Sequence, residues 1–246
     1  MILDKSDLLR AVGLLISVFG IIGCSGGSAP LPVEGGQGNR AFVIDYNGEP
    51  ASDGMPKPWV IKVHAGTPQI EILASPQQNN EKVVRLRCVD SSFSLNNPDL
   101  NIDVKQFSGL SWNWLAEQLP TSAAVNPEGK KEQVLQLYFL FEGKKVVSYH
   151  WDTARPKGTS YDDSIPFLVK VKVIVVESGS ENLRKWKRVA RDIYTDFKNL
   201  FGEEPGPLKA IRLQANSQYT KSTCSGYVSK LTFEREGTME QEQKQQ

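Results

Sequence analysis

The sequence predicts a mainly β protein, a sandwich of two antiparallel sheets with one short helix laid over it. Three stretches carry that prediction. In PFLVKVKVIVVESG, Val169, Val171, Val173 and Val175 alternate with Lys170, Lys172 and Ile174, a period of two in β-branched residues. VLQLYFLF is almost unbroken apolar sequence, as expected for a central strand covered on both faces. Across Glu142-Gly143 it meets KKVVSYHWD, so the two runs read as a hairpin. YTDFKNLFG brings Ile193, Phe197, Leu200 and Phe201 to helical spacing, with Gly202 at the stop.

The other elements follow in order. AFVIDY is a strand, and NGEPASDGMPKP after it is a loop. WVIKVH and IEILA flank a turn at Ala65-Gly66-Thr67-Pro68. EKVVRLRCVD puts Val84, Leu86 and Cys88 on one face, with Arg85 and Arg87 on the other. LNIDVKQF and GLSWNWLA are the next two strands, and Pro120 to Lys131 is a polar loop. Thr153 to Ile165 is a longer loop rich in Gly, Pro and Asp. Trp186 to Ile193 alternates into the helix, Leu208 to Asn216 turns Ile211, Leu213 and Ala215 inward, and Tyr227 to Phe233 closes the body. A parallel α/β fold would need crossover helices, which the pattern lacks. No internal repeat is visible.

The chain has 246 residues, 39% apolar and 23% charged, which suits one globular domain or two small ones and is ample for a real core. A net charge of +1 with no charged tail gives no electrostatic footprint for nucleic acid. The N-terminus is more specific. Lys5 and Arg10 precede an apolar run from Ala11 to Gly23, too short to span a bilayer and suited to a signal h-region. Ile21-Ile22-Gly23-Cys24 ahead of SGGSAP resembles the lipobox of bacterial lipoproteins, in which the cysteine is lipidated and becomes the mature N-terminus. An ordinary signal peptide or a short core helix is the plainer alternative. The expected organisation is a leader over 1–23, lipidated Cys24 and a Gly/Ser/Pro tether over 24–40, one sandwich domain over 41–235 and a polar tail over 236–246. With Cys24 lipidated, Cys88 and Cys224 remain, either as a disulfide or as two buried thiols.

GLSWNWLAEQLP, LQLYFLF, Tyr149-His150-Trp151, VIVVESG and RVARDIYTDFKNLFGEEPGPLKAIRLQANS occur in this order between Val83 and Phe233. As a set they resemble the bacterial domain family of unknown function 3047 (DUF3047). The resemblance implies the same sandwich, whose strand order is similar to the jelly rolls of carbohydrate-binding modules. It implies no activity. The chain departs from the family's pattern at Lys130-Lys131-Glu132 and at Gln214-Ala215-Asn216-Ser217, where relatives tend to carry acidic or Asp/Thr-rich sequence.

Catalytic chemistry has thin support. The two histidines, His64 and His150, lie in no zinc, thiol or nucleophile-elbow motif, so no metal or other cofactor is expected. Asp45, Glu71, Asp152, Asp162, Asp163 and Glu177 could supply a carboxylate pair, although solvated loop carboxylates are the commoner case. The aromatic residues are the better lead. Trp112 and Trp114 share one strand face, as do Tyr149 and Trp151. Each pair is either half of the core or a platform on which a sugar ring stacks, with Gln214 and Asn216 as polar partners. Lys170 and Lys172 read as a solvated face.

The sequence therefore points to a lipid-anchored binding protein of the bacterial envelope, in the outer membrane and facing the periplasm or the cell surface. It is non-catalytic, with a saccharide or envelope polymer as ligand. A protein-docking module and a glycan-active enzyme with paired carboxylates are the alternatives.

Overall fold

In the computed structural model, residues 41–121, 132–165 and 167–235 are described. The leader, Cys24 and its tether, most of the Pro120–Lys131 loop and the polar tail lie outside them. The strands are β1 (Ala41–Ile44), β2 (Val60–Ala65), β3 (Gln69–Ser75), β4 (Glu81–Val89), β5 (Ser92–Asn97), β6 (Gly109–Gln118) and β7 (Leu135–Phe141). They continue as β8 (Lys145–Asp152), β9 (Ser160–Asp162), β10 (Lys170–Ser178), β11 (Lys187–Asp192), β12 (Leu208–Asn216), β13 (Thr223–Val228) and β14 (Leu231–Glu234). The helix is α1 (Ile193–Phe201).

Two seven-stranded sheets face each other. The first is organised by β6, the longest strand, which has β11 along one edge. Its other edge is shared end to end by β14 and β13. Between those two strands Ser229 bridges the gap: its Oγ accepts from the Asn113 amide at 2.8 Å, and its own amide donates to the Asn113 carbonyl at 2.9 Å. β1 lies beyond β14, and β4 and β3 lie beyond β13. The second sheet runs β2-β5-β12-β7-β8-β10-β9. β8 and β10 pair in parallel, joined by the long loop that contains β9. This contact, the parallel exception in an otherwise antiparallel architecture, needs no crossover helix because the loop supplies the return.

The core between the sheets is aromatic. Trp112 and Trp114 meet edge to face at 5.6 Å, Trp112 packs on Tyr149 at 5.4 Å, and Trp114 packs on Trp151 at 5.8 Å. α1 closes one end. Asp192 caps its N-terminus by accepting from the Thr195 amide at 2.9 Å, and Gly202 in the left-handed region ends it by donating to the Lys198 carbonyl. Phe197 drives the helix onto Phe141, with ring centroids 4.7 Å apart. Asp196, nearly buried, accepts from Tyr149 Oη at 2.7 Å and from Arg191 Nε at 2.8 Å, so helix, β8 and β11 meet on one carboxylate. That bond holds the Arg191 guanidinium above its usual range, while burial and the nearby Asp196 charge push the Tyr149 phenol well up.

Three expectations change and one strand is added. LNIDVKQF is not a strand: Ile102 makes a single bridge to Leu208, after which Asp103 folds the chain into a turn by accepting from the Lys105 amide. SFSLNN, assigned to no element from the sequence, is β5. The long loop carries β9. Lastly, β7 is not apolar on both faces, since Gln136 and Tyr138 share the side opposite Leu135, Leu137 and Phe139.

Phe197→Ala should lower stability by about 3–5 kcal/mol and Asp192→Ala by about 1 kcal/mol. Both are read as midpoint shifts in urea unfolding with an unchanged slope.

Candidate functional site

The pleat that sends Tyr149 and Trp151 into the core sends His150 and Asp152 to the outer face of the second sheet. The same holds for Gln136 and Tyr138 on β7, for Arg212, Gln214 and Asn216 on β12, and for Ser94 and Asn96 on β5. Two polar rows result, each crossing the strands by register. One runs Tyr161, Val173, Ser148, Tyr138, Arg212 and Asn96. The other runs His150, Gln136, Gln214 and Ser94, then Lys62 on β2.

These groups bond to one another. Arg212 Nε donates to Asn96 Oδ1 at 2.9 Å and Nη1 to Gln214 Oε1 at 3.3 Å. Asn96 Nδ2 reaches Ser94 Oγ at 3.1 Å, and Ser94 Oγ bonds His64 Nε2 at 3.2 Å. Tyr138 donates to Gln136 Oε1, and Gln136 Nε2 donates to Asn216 Oδ1 at 2.6 Å. Asn216 Oδ1 also accepts the Gln133 amide at 3.1 Å, and Gln133 Nε2 reaches Asp152 Oδ2 at 3.0 Å. Arg155 stands 4.2 Å over the Tyr161 ring, and Tyr161 Oη bonds His150 Nδ1 at 3.1 Å. The floor is buried, whereas Lys62, His64, Asn96, Tyr138, Arg155 and Tyr161 form a half-exposed rim.

Electrostatics at the β2 end is cationic. Burial lowers the Arg212 guanidinium to about 10, so it remains charged at neutral pH. Burial and the Arg212 charge lower Lys62. Burial, then Arg212 and Lys62, push His64 down to about 4, which keeps its imidazole neutral across the physiological range.

The predicted aromatic platform is absent, a correction that follows from the pleat. Trp112, Trp114, Tyr149 and Trp151 all face inward and are at most 3% exposed. Gln214 and Asn216 lie on the opposite side of their sheet, in the polar network. The bridge considered for Cys88 and Cys224 is not formed either. The two sit opposite each other in register and both are free thiols, with Cys224 Sγ turned toward the Asn216 carbonyl at 3.8 Å. The hydrogen bond with the Cys88 thiol and burial push the Cys224 thiol well up. Cys24 lies outside the described residues.

The carboxylates are each engaged by other groups, and Glu71 and Glu117 share the Arg85 guanidinium. Asp152 is buried and accepts the Ala154 and Arg155 amides at 2.8 Å, and Glu177 is held by Ser178 and Asn182. Asp162 pairs with Lys172 at 2.6 Å, and Glu71 with Arg85 at 3.4 Å. No cluster of metal ligands occurs among the described residues.

A concavity of about 400 Å³ lies on the outer face of the first sheet, lined by Leu73, Leu115, Glu117, Arg184, Trp186 and Tyr227. Trp186 and Tyr227 are half-exposed and 6.2 Å apart, tilted by 55°. Trp186 Nε1 donates to Gln77 Oε1 at 2.9 Å. Arg85, bonded to Glu117 at 2.9 Å, lies 5.6 Å from the Tyr227 ring centre. Sequence reading passed over these two rings because neither has a same-face aromatic neighbour on its own strand. It passed over Gln136, Tyr138 and Arg212 too, although polar residues two apart inside apolar runs were a usable signal.

Fold and site together define a two-sheet β-sandwich with an aromatic core and a hydrogen-bonding outer sheet face. More narrowly, residues 73–232 match DUF3047, described as a protein of unknown function, and the chain belongs to that family. No curated protein matches it. Solved structures similar to it include the endoglucanase cel12A from Rhodothermus marinus, with 8% identity, a TM-score of 0.44, and 79% of this chain and 99% of that one covered. Another is the family 11 carbohydrate-binding module of the Clostridium thermocellum cellulase Lic26A-Cel5E, with 8% identity, a TM-score of 0.37, and 72% and 87% covered. A third is the xyloglucanase domain of NopAA from Sinorhizobium fredii, with 11% identity, a TM-score of 0.43, and 70% and 90% covered. These identities and scores carry no binding residue over to this chain.

His64 gives the site a pH signature. Its folded pKa lies below its unfolded value of 6.5, so the unfolded chain takes up a proton that the native state refuses. Stability should be fully present above about pH 6.5 and fall as the pH drops toward 4. His64→Asn should flatten that part of a pH series of thermal midpoints.

Proposed function

We propose that this protein binds a saccharide or polyhydroxylated envelope polymer without altering it, at the polar face of the second sheet. The observation that carries the reading is chemical. The face is a connected layer of amide, hydroxyl and imidazole groups, each able to donate and accept, with half-exposed Tyr138 and Tyr161 among them. Sugars present hydroxyls in a fixed array and apolar C–H faces between them, and such a layer suits both. On this face the buried Asp152 is taken up by Gln133, Arg155 and the Ala154 and Arg155 amides, which supports binding over hydrolysis by a free carboxylate pair. Tethering to a bacterial envelope membrane through lipidated Cys24 belongs to the same proposal and is supported by the leader sequence.

Thermal unfolding against a panel of glycans and envelope polymers tests it. A ligand at a hundred times its Kd should add about 2.7 kcal/mol. That shift should vanish in folded Asn96→Ala and Tyr161→Ala variants and persist in Trp186→Ala. Loss in Trp186→Ala alone would move the site to the groove of the first sheet. No shift across the panel overturns saccharide binding, and release of new reducing ends overturns the non-catalytic reading. Mass analysis of the mature N-terminal peptide checks Cys24 separately.

A further inference from the structure

The end of the sandwich nearest the Gly143 turn carries a feature that ligand binding does not use. Between Ile165 and Val169 the chain makes a tight turn, closed by Ile165 and Val169 exchanging backbone bonds at 3.0 and 3.2 Å. At its tip Phe167 is fully exposed, at 106% of its reference area, with φ at 64°. A bulky residue in the left-handed region costs conformational energy, and an exposed phenyl ring gives up hydrophobic stabilisation as well. Leu168 beside it is also exposed. Around them lies an open cleft of about 750 Å³ whose rim carries Lys144, Lys145, Lys170 and Lys172, with Leu200 and Phe201 of α1 in its wall.

Acidic groups offset part of this charge. Asp162 takes Lys172 and Glu203 takes Lys145. Lys144 and Lys170 have no carboxylate partner among the described residues, and both are exposed. Apolar side chains projecting from within a basic rim match a surface with anionic headgroups outside and hydrocarbon beneath.

The position of this end agrees. Ala41, where the described chain begins, pairs with Glu234, which pairs with Gly109, which pairs with Asp192 at the start of α1. The helix then runs past Phe141 to place Leu200 and Phe201 on the cleft. Body entry and basic rim are therefore separated by three strand spacings, about 14 Å, and one short helix of about 13 Å. A Gly/Ser-rich sequence as long as the 16 residues from Ser25 to Arg40 has a reach of about 20–24 Å, enough to let this end touch a bilayer that holds Cys24.

We propose that Phe167 and Leu168, with Lys144 and Lys170, dock this end of the sandwich onto an anionic lipid surface. The docking deepens the tethered reading given above: the tether sets proximity and the patch sets orientation.

The test uses the full chain carrying Cys24→Ser, which removes lipidation, and Phe167→Cys labelled with an environment-sensitive fluorophore. Cys88 and Cys224 are buried and leave the label to position 167. On vesicles of equimolar phosphatidylglycerol and phosphatidylcholine the emission should shift to the blue. On phosphatidylcholine alone it should not. Lys144→Glu with Lys170→Glu should weaken binding at least about twentyfold, roughly fivefold for each lost charge. Raising ionic strength to about 1 M, where the Debye length is about 3 Å, should abolish it. A label that stays in water on anionic vesicles, or that shifts equally on neutral ones, overturns the proposal, the first result leaving the turn to a protein partner. Lipidation at Cys24 is read independently by peptide mass, so either reading can fail alone.

Discussion

The fold rests on the seam where Trp112 and Trp114 of one sheet meet Tyr149 and Trp151 of the other. Large rings bury much apolar area each and favour tilted or edge-on contacts, so they set both the spacing of the sheets and their relative register. Because side chains alternate along a strand, the same seam dictates the opposite face: once Tyr149 and Trp151 point in, His150 and Asp152 must point out. The polar layer of the second sheet is in that sense a consequence of the aromatic core.

That layer is costly unless it is satisfied. Buried amides, hydroxyls and a guanidinium cost several kcal/mol each when unpaired, and here they are tied in chains from His64 to Gln214 and from Tyr138 to Asp152. A network of this kind holds donors and acceptors in fixed directions, as recognition of a hydroxyl-rich ligand requires. Asp196 plays the matching role at the helix end, converting a short α1 into a brace between the two sheets.

The two outer regions differ in chemistry. One is a hydrogen-bonding layer around the charged Arg212 in the middle of a sheet, while the other is basic and apolar at the end that carries the Gly143 turn. Binding at the first and membrane contact at the second would not compete for the same residues.

Much of this was legible in the chain. Valine alternation gave β10, the LQLYFLF and KVVSYHWD runs gave the β7–β8 hairpin, and Phe197 with Gly202 gave α1 and its end. These signals are local, because strand pleat and helix period are properties of consecutive residues. β5 and β9 escaped because SFSLNN and SYD are short and polar, and they are strands only through the neighbours that bond them. Periodicity also paired the aromatics by face without saying which face was buried. Only packing of one sheet on the other could choose, and it put the rings inside. Arg212, Gln136 and Asn96 are far apart in sequence and became one layer through strand register, while Phe167 stands out only because nothing in the fold covers it. The sequence alone fixed which residues share a strand face; which faces meet protein and which meet solvent was decided by how the sheets pair and stack, since burial depends on contacts between segments that no local pattern records.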